Sequence, residues 1–454
     1  MAIPGFPAEI TDRVIWHLAG CPERGSLKRP ENLANYASIN RAWQSAIEPW
    51  TFRNIVLIPS NLSEARRILT PARQSYIRVV TAELVYEIMD PKERGHYGFF
   101  EFSIYADSFV SLFHLIKSWD NQFKGGPKIW LRFRTTSPYG WYLYPSPKRT
   151  RPHDYSSRSS DSWFYNQDLP SIYSVSRLTV GGNNGFAPNV SLSHTALKRI
   201  VAACPRLEKF EFGPPEIDWG AEVAKSAAAI VSVLPKSTRS LSLSVPMHPL
   251  REIREGYPQN GENYNKLNRS IQNATQLRDI ALLTRISPDL FWPTEINSES
   301  DEPCWANLET LAIQFGQHSP CGTSLWEVPR TRNNGHQQFI EDRSYNEEAM
   351  NSIYTQAARA IARMPRLRQL TMENSRDDKP YHQFRFEVSY RRAVASWRSR
   401  PIFRPSETVL SLLREAANLK EVELRVDVQE IDEDSEEKAL LEIRVDNIEI
   451  WESD

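Results

Sequence analysis

Met364-Pro365-Arg366-Leu367-Arg368-Gln369-Leu370-Thr371-Met372 is the stretch that decides the predicted fold, and it follows a helix-like run at 350–362. Pro365 cannot continue the helix, so a turn is predicted there. Leu370 and Met372 then lie on one side of an extended segment, because side chains alternate along a strand. The pattern predicts a helix, a short turn and a strand with one buried face.

The same pattern occurs five times in the second half of the chain. The helical runs and the strands that follow them are 194–201 with 209–212, 221–233 with 240–243, 264–271 with 276–280, 350–362 with 369–372, and 409–417 with 421–424. Further strands without a clear preceding helix are predicted at 55–58, 77–85, 129–133, 176–180 and 308–313. Neither element can bury its apolar face alone, so stacked copies would place parallel strands on one side and helices on the other.

This layout resembles that of the leucine-rich-repeat family, and the resemblance implies an α/β solenoid with parallel strands over residues 55–454. The predicted strands lie roughly thirty to sixty residues apart, whereas a regular repeat has ~20–29 residues. An irregular solenoid with long inserts at 137–165, 285–306 and 314–345 is therefore predicted. A doubly wound sheet is the alternative, but no strand leads into a glycine-rich phosphate loop.

The first 54 residues carry a different pattern, which predicts a small module of three short helices. Two apolar sets recur at four-residue steps: Ile10, Val14 and Leu18, and then Ile39, Trp43 and Ile47. Pro7 suits the first turn of a helix, and Pro49 is predicted to end the last one. Helices of ~10 residues bury too little apolar surface to be stable alone. Another chain or domain must cover them.

Residues 4–54 resemble an F-box, the module that anchors substrate receptors to the Skp-type adaptor of cullin-RING ubiquitin ligases. The family opens with Leu-Pro-x-Glu-Ile or Leu, and Phe6 replaces the usual Leu here. The resemblance implies an adaptor-binding role for Phe6, Pro7, Ile10, Val14, Leu18, Ile39 and Trp43. The alternative is a three-helix cap that packs on the rest of the chain. An F-box followed by an irregular repeat region is similar to F-box proteins of filamentous fungi.

Composition limits the classes of partner. The chain has 55 Lys and Arg against 56 Asp and Glu among 454 residues, so no overall field attracts nucleic acid or an anionic membrane. The longest apolar run, 227–234, is far shorter than the ~20 residues that cross a bilayer, so a cytosolic or nuclear location is expected. Reduced thiols are expected for four scattered cysteines: Cys21, Cys204, Cys304 and Cys321.

Catalytic motifs are missing from the sequence. It contains no nucleophile elbow, P-loop, zinc-binding helix or calcium loop. The glycine-rich run at 181–185 lacks a lysine or a following helix, so it is interpreted as a turn. A non-catalytic protein without a metal or cofactor is therefore expected.

The insert at 137–165 combines aromatic and basic side chains, the residue types that anchor protein interfaces. Its candidate substrate-binding residues are Tyr139, Trp141, Tyr144, Arg149 and Arg151. They are also suited to stacking bases and contacting phosphates, or the rings pack on neighbouring repeats. A second basic and aromatic stretch, 390–404, is interpreted as a solvated helix face. The acidic run 430–437 is predicted to be a hairpin loop between strands at 420–428 and 439–451.

Together the two resemblances imply a substrate-recognition subunit of an SCF-type ubiquitin ligase, which binds the Skp-type adaptor and cullin complex through its N-terminal helices and a protein substrate through its repeats. Such a subunit acts by bringing the substrate close to the conjugating enzyme and needs no active site of its own. The alternative is a repeat-containing interaction scaffold without a ligase. An enzyme or a nucleic-acid binder is the third interpretation, and the balanced charge disfavours it.

Overall fold

The protein was analysed as a computed structural model, which describes residues 37–38, 41–85, 102–120, 128–136, 168–181, 194–213, 220–245, 261–291, 305–327, 344–374 and 381–431. These residues fall into two compact units, which divide between Glu208 and Lys209. We call them the N-terminal unit and the C-terminal unit. Each contains a sheet with helices, and most of the described strand pairs are parallel.

In the N-terminal unit, four strands pair in parallel in chain order. The strands are β1 (Asn54–Leu57), β2 (Val79–Val85), β3 (Ile129–Thr136) and β4 (Val175–Val180). The helices are α1 (Arg41–Thr51), α2 (Leu62–Ile68), α3 (Pro71–Gln74), α4 (Phe102–Asp120) and α5 (His194–Ala202), and a 3₁₀ turn covers Pro59–Asn61. Helix α4 was not predicted from the sequence.

In the C-terminal unit, eight strands lie in the order β5-β6-β7-β8-β11-β12-β13-β14. They are β5 (Lys209–Phe212), β6 (Ser240–Ser244), β7 (Asp279–Thr284), β8 (Thr310–Phe315), β11 (Gln369–Asn374), β12 (His382–Ser389), β13 (Arg392–Ser399) and β14 (Glu423–Glu430). A small antiparallel pair joins β9 (Trp326–Glu327) to β10 (Ser344–Tyr345). The helices are α6 (Gly220–Val231), α7 (Gly261–Asn273), α8 (Pro288–Phe291), α9 (Glu347–Arg363) and α10 (Glu407–Leu419).

The predicted sequence of helix, turn and strand is confirmed for all five copies. One local interaction, made by a buried residue, recurs in the turns before β5, β6, β7, β8 and β11, whereas the turn before β14 lacks the buried residue. Before β5, β7, β8 and β11, a leucine N–H donates to the carbonyl three residues earlier, at 3.0 to 3.2 Å. These leucines are at most 2% exposed: Leu207, Leu277, Leu308 and Leu367. The turn before β6 closes in the same way with the buried Thr238. Each of these turns therefore fixes the start of the strand that follows it.

The core of the C-terminal unit lies on one side of its sheet. Leu241, Ile280, Leu311 and Leu370 pair across four neighbouring strands, and all four are buried. Each such side chain contributes roughly 1.5–3 kcal/mol when it is fully removed from water. Polar caps set the helix boundaries beside this core. Asn346, for example, accepts a hydrogen bond from the Ala349 N–H at 3.0 Å and begins α9.

The stretch 390–404, predicted as a helix face, is instead part of an antiparallel hairpin of β12 and β13. The apolar residues of β13 repeat every two positions, as strand residues do, and Ala393, Ala395 and Trp397 are all buried. The helix interpretation was based on the arginines of this stretch and did not take the two-residue period of its apolar residues into account. The hairpin also makes β12 antiparallel to β11, so the parallel run is interrupted.

The strand predicted at 420–428 is confirmed as β14, parallel to β13, while 432–454 lie outside the described residues.

Helix α1 continues past Pro49 to Thr51, so the prediction that Pro49 ends the helix was wrong. A proline inside a helix lacks its own N–H bond and its ring crowds the carbonyl four residues earlier, but the bonds beyond it can still form. Here the Phe52 N–H donates to the Glu48 carbonyl at 2.9 Å. The described parts of the inserts at 285–306 and 314–345 are also packed. They contribute the buried Phe291, Trp305 and Trp326. The insert at 137–165 and residues 1–36 lie outside the described residues, so the proposed division at residue 54 stays a prediction.

We predict that Leu367→Ala destabilises the C-terminal unit by about 2–4 kcal/mol, because it leaves a cavity at the turn that positions β11. Urea unfolding followed by tryptophan fluorescence measures this change. Leu419→Ala is the matched control, since Leu419 is 64% exposed and should change stability little. Equal midpoints for the two variants would contradict the structural role given to the buried turn leucine.

Candidate protein-interaction surfaces

The residues predicted to form sites are mostly outside the described part of the chain. Of the adaptor-binding set, the structure describes Trp43 alone, and Phe6, Pro7, Ile10, Val14, Leu18 and Ile39 lie outside it. The five candidate substrate-binding residues, Tyr139, Trp141, Tyr144, Arg149 and Arg151, also lie outside it. These assignments therefore stay predictions.

Trp43 lies on α1 in a small apolar cluster. Ile47 is fully buried at its centre, and Ala37, Trp43, Ala46 and Trp50 pack against it while half-buried. Trp43 and Ile47 are four residues apart and share one helix face, as the sequence predicted. This face combines a sealed centre with a partly exposed aromatic rim.

The side chain of Arg73 in α3 holds the end of α1. It donates to Glu48 Oε1 through Nε at 3.0 Å and Nη2 at 2.7 Å, and it donates to the Ile68 carbonyl through Nη1 at 2.9 Å. Its guanidinium also lies 4.9 Å from the centroid of the Phe52 ring. Partial burial raises the pKa of Glu48, but hydrogen bonds from Arg73 and Gln44 outweigh burial and lower that pKa below its ordinary value. Glu48 is therefore held as a carboxylate.

The second face of the sheet in the C-terminal unit is polar, and its central row has short side chains from β6 to β11. One register row crosses all eight strands: Glu211, Ser242, Ala281, Ala312, Thr371, Arg385, Ser396 and Asp427. Of these, Glu211 is buried and the others keep partial exposure. We call this surface the polar sheet face. The small side chains from β6 to β11 leave these strands accessible, so another protein can approach them closely.

An open depression of about 410 Å³ lies at one end of the polar sheet face. Its described lining includes Thr310, Arg368, Gln369, Glu387, Ser389 and Val394. Beside it, Glu309 lies 3.8 Å from Arg278 and 3.9 Å from Arg368, and both arginines are at least half exposed. Exposed pairs of this kind contribute little to stability, so these charges are available to exchange partners on binding.

The N-terminal unit has a surface of a different kind, which we call the tryptophan–arginine patch: Trp130, Arg132 and Arg134 of β3 with Arg177 and Thr179 of β4. Trp130 pairs with Arg177 in register, and the Arg177 guanidinium carbon lies 3.6 Å from the indole centroid. The Arg132 guanidinium carbon lies 4.7 Å from it. The indole Nε1–H donates to Thr179 Oγ1 at 2.8 Å. The ring is thereby fixed by contacts on its faces and its edge.

One signal for this patch is present in the sequence, namely the alternation of apolar and polar or aromatic residues along β3. In β3, Ile129, Leu131 and Phe133 face the core, so the alternate residues Trp130, Arg132 and Arg134 share the other face. Arg177 is distant in sequence and joins them through strand pairing alone. Only the register of the sheet could place it there.

His382 lies in a buried aromatic cluster of the C-terminal unit. The rings of Phe315, Trp326, Tyr345 and Phe403 surround it with centroids 5.1 to 6.4 Å away. Its ring Nε2 shares a hydrogen bond with the Tyr354 hydroxyl, and its backbone N–H donates to Asn374 Oδ1 at 2.8 Å. Burial lowers the pKa of His382 to about 3. A neutral ring sealed in this way serves the core rather than a ligand site.

The described residues contain neither a metal-binding cluster nor a membrane-spanning helix. No group of three histidine, cysteine, aspartate or glutamate side chains within the described ranges is arranged to hold a metal ion. In the same part of the chain, every helix is too short or too polar to cross a membrane.

Three comparisons relate the chain to known proteins. A model of a family of unknown function (DUF6546) matches residues 289–448, from α8 to beyond β14. No curated protein matches the chain. Among solved structures, the leucine-rich repeat-containing protein LegL7 from Legionella pneumophila is 15% identical with a TM-score of 0.35, over 85% of this chain and 88% of that chain. A TM-score this low does not establish a common fold, and the family model does not reach residues 1–54.

We predict that His382 makes stability pH-dependent below neutral pH. Its pKa is about 3 in the folded chain and 6.5 ordinarily, so the unfolded chain binds the additional proton between these values. The free energy of unfolding should therefore fall as pH falls through this range, by about 2 kcal/mol between pH 7 and pH 5 from this group.

Denaturant unfolding at several pH values measures this slope. His382→Gln keeps an amide for the Tyr354 hydroxyl and should flatten the slope. Leu419→Ala is the control, because Leu419 is 64% exposed and the substitution removes no titratable group, so the slope should stay unchanged. A slope that is the same in wild type and His382→Gln would contradict the prediction.

Proposed function

We propose that the chain is a non-catalytic protein-interaction scaffold that binds partners on the exposed faces of its sheets. The observation that carries this proposal is the polar sheet face, which crosses eight strands and whose central row has short, partly exposed side chains from β6 to β11. A broad surface of this kind accommodates another protein, since a specific interface buries about 800 Å² on each partner. The depression at its end is open and shallow, which suits contact with a partner better than enclosure of a small molecule.

A finer proposal is that the scaffold is the substrate receptor of an SCF-type ubiquitin ligase. The F-box-like pattern at 4–54 supports it, and α1 carries the Trp43 and Ile47 part of that pattern on one face. The bond from Arg73 to Glu48 would transmit the position of α1 to the N-terminal unit. Adaptor and cullin would then be the partners at one end, and a target protein would bind the sheets. The scaffold without a ligase is the alternative.

To test the scaffold, we predict that Ser242→Arg with Thr371→Arg reduces the recovery of specific partners at least about tenfold, because the long side chains fill the polar sheet face. Affinity purification of the full chain with quantitative mass spectrometry measures recovery. Ser352→Arg places the same residue on the exposed side of α9 and is the control. Equal recovery of every partner by both variants would remove the polar sheet face from the function.

To test the link to a ligase, we predict that the full chain co-purifies with a Skp-type adaptor and that Ile10→Asp abolishes this binding. A charge in an apolar contact costs several kcal/mol, so the loss should exceed about tenfold. Trp43 is a poorer choice for substitution because it packs on Ile47. Leu419→Asp adds the same charge at an exposed apolar position and is the control. If the intact chain captures partners on its sheets but no adaptor, the scaffold stands and the receptor proposal fails.

A further inference from the structure

Strand β14 is the last strand of the sheet in the C-terminal unit, and among the described residues it pairs with β13 alone. The N–H groups of Glu423 and Ile431 donate to carbonyls on the β13 side at 3.4 and 3.3 Å. Backbone groups point to alternate sides along a strand, so Leu424, Val426 and Val428 direct their N–H and C=O groups away from β13. We call this side of β14 the outer edge. It is the template on which a further strand can pair.

The apolar side of the sheet continues through β14 without complete cover. The β13 neighbours of its apolar residues are fully buried: Ala393, Ala395 and Trp397. Val426 is nevertheless 36% exposed, while Leu424 and Val428 are half-buried. Leu419, the last residue of α10, is 64% exposed. A further strand on the outer edge would remove part of this apolar surface from water.

The polar side of β14 carries charges of both signs. Arg425 is exposed, and the partly exposed Asp427 accepts a hydrogen bond from Gln429 Nε2 at 2.8 Å through one carboxylate oxygen. Charges on an edge strand usually oppose pairing, because like charges meet across the strands. The two opposite charges of β14 avoid this repulsion in one arrangement.

That arrangement is an antiparallel pair of two copies of β14 with Val426 opposite Val426. Arg425 of each copy then faces Asp427 of the other, and Leu424 faces Val428, so both sides of the strand are matched. The outward N–H groups also meet outward carbonyls. A shift of two residues, the smallest that keeps these backbone groups in phase, places Arg425 opposite Arg425 or Asp427 opposite Asp427. The sequence of β14 is therefore complementary to itself, as a twofold symmetric interface requires.

We propose that two copies of the chain associate through the outer edge of β14, which joins the sheets of their C-terminal units. The twofold axis is perpendicular to the joined strands, so the polar sheet faces of both copies lie on the same side. Strand pairing buries less area than a standard interface, so the dimer forms as the protein concentration rises. This self-association does not depend on the proposed scaffold function.

Analytical ultracentrifugation of the full chain over a range of concentrations tests the proposal, and wild type should pass from monomer to dimer. Arg425→Glu places carboxylates opposite Asp427, and Asp427→Arg places guanidinium groups opposite Arg425. Each variant should weaken dimerisation at least about tenfold, because two attractive pairs become repulsive. Lys236→Glu is the control, since it reverses an exposed charge in the turn before β6 and should leave the dimer unchanged.

A mixture of the two charge variants separates a lost contact from lost folding. The carboxylate introduced by Arg425→Glu faces the guanidinium introduced by Asp427→Arg, and the unchanged Asp427 of the first variant faces the unchanged Arg425 of the second. The mixture should therefore form a heterodimer at least about tenfold more tightly than either variant forms a homodimer. Misfolded variants would not regain association on mixing.

Three results would overturn the proposal. They are a full chain that stays monomeric up to about 100 µM, equal dimerisation of wild type and both charge variants, and a mixture that associates no more tightly than its components. A chain that dimerises only after removal of residues 432–454 would also overturn it, and would assign the outer edge to that segment. The scaffold is tested separately, because partner recovery by Ser242→Arg with Thr371→Arg does not depend on the dimer.

Discussion

The buried residue in each turn is the constraint on which the rest of the fold depends. Leu207, Leu277, Leu308 and Leu367 each close a turn with a backbone bond to the carbonyl three residues earlier, and each side chain is sealed in the core. The turn fixes which residue of the following strand faces inward. A shift of one residue would turn every apolar side chain of that strand to the solvent. The two faces of the sheet, one apolar and one polar, therefore follow from a few leucines.

Much of this architecture was predictable because it is encoded locally. The five helix–turn–strand copies follow from apolar spacing over about twenty residues, and the structure contains all of them. Helix α4 was missed because its apolar residues, among them Phe109, Phe113, Ile116 and Trp119, leave no clean polar stripe. The β12–β13 hairpin was not predicted, because the charged residues of 390–404 favoured a solvated helix face. The apolar residues of β13 nevertheless repeat every two positions, as in a strand. In both segments, the local pattern of apolar and charged residues is compatible with more than one secondary structure.

The candidate surfaces were less predictable, because they depend on which strands are neighbours. The F-box-like pattern at the N-terminus stays a prediction, but Trp43 and Ile47 do lie on one helix face, as their spacing predicted. By contrast, Trp130 and Arg177 meet through strand pairing, and no local pattern records that pairing. The eight-strand row of the polar sheet face is likewise assembled from segments hundreds of residues apart. Sequence spacing predicts on which face of the sheet a residue lies, but the register of strand pairing decides which residues are its neighbours on that face.

The contacts of Arg73 have a mechanical consequence. One side chain joins the last turn of α1, the carbonyl that ends α2 and the ring of Phe52. These three contacts restrict the rotation of α1 about the short connection that leads into β1. The last turn of α1 is therefore fixed against α2 and α3 beside the first strand. A partner bound to α1 would be held at a set angle and distance from that strand, without a flexible connection.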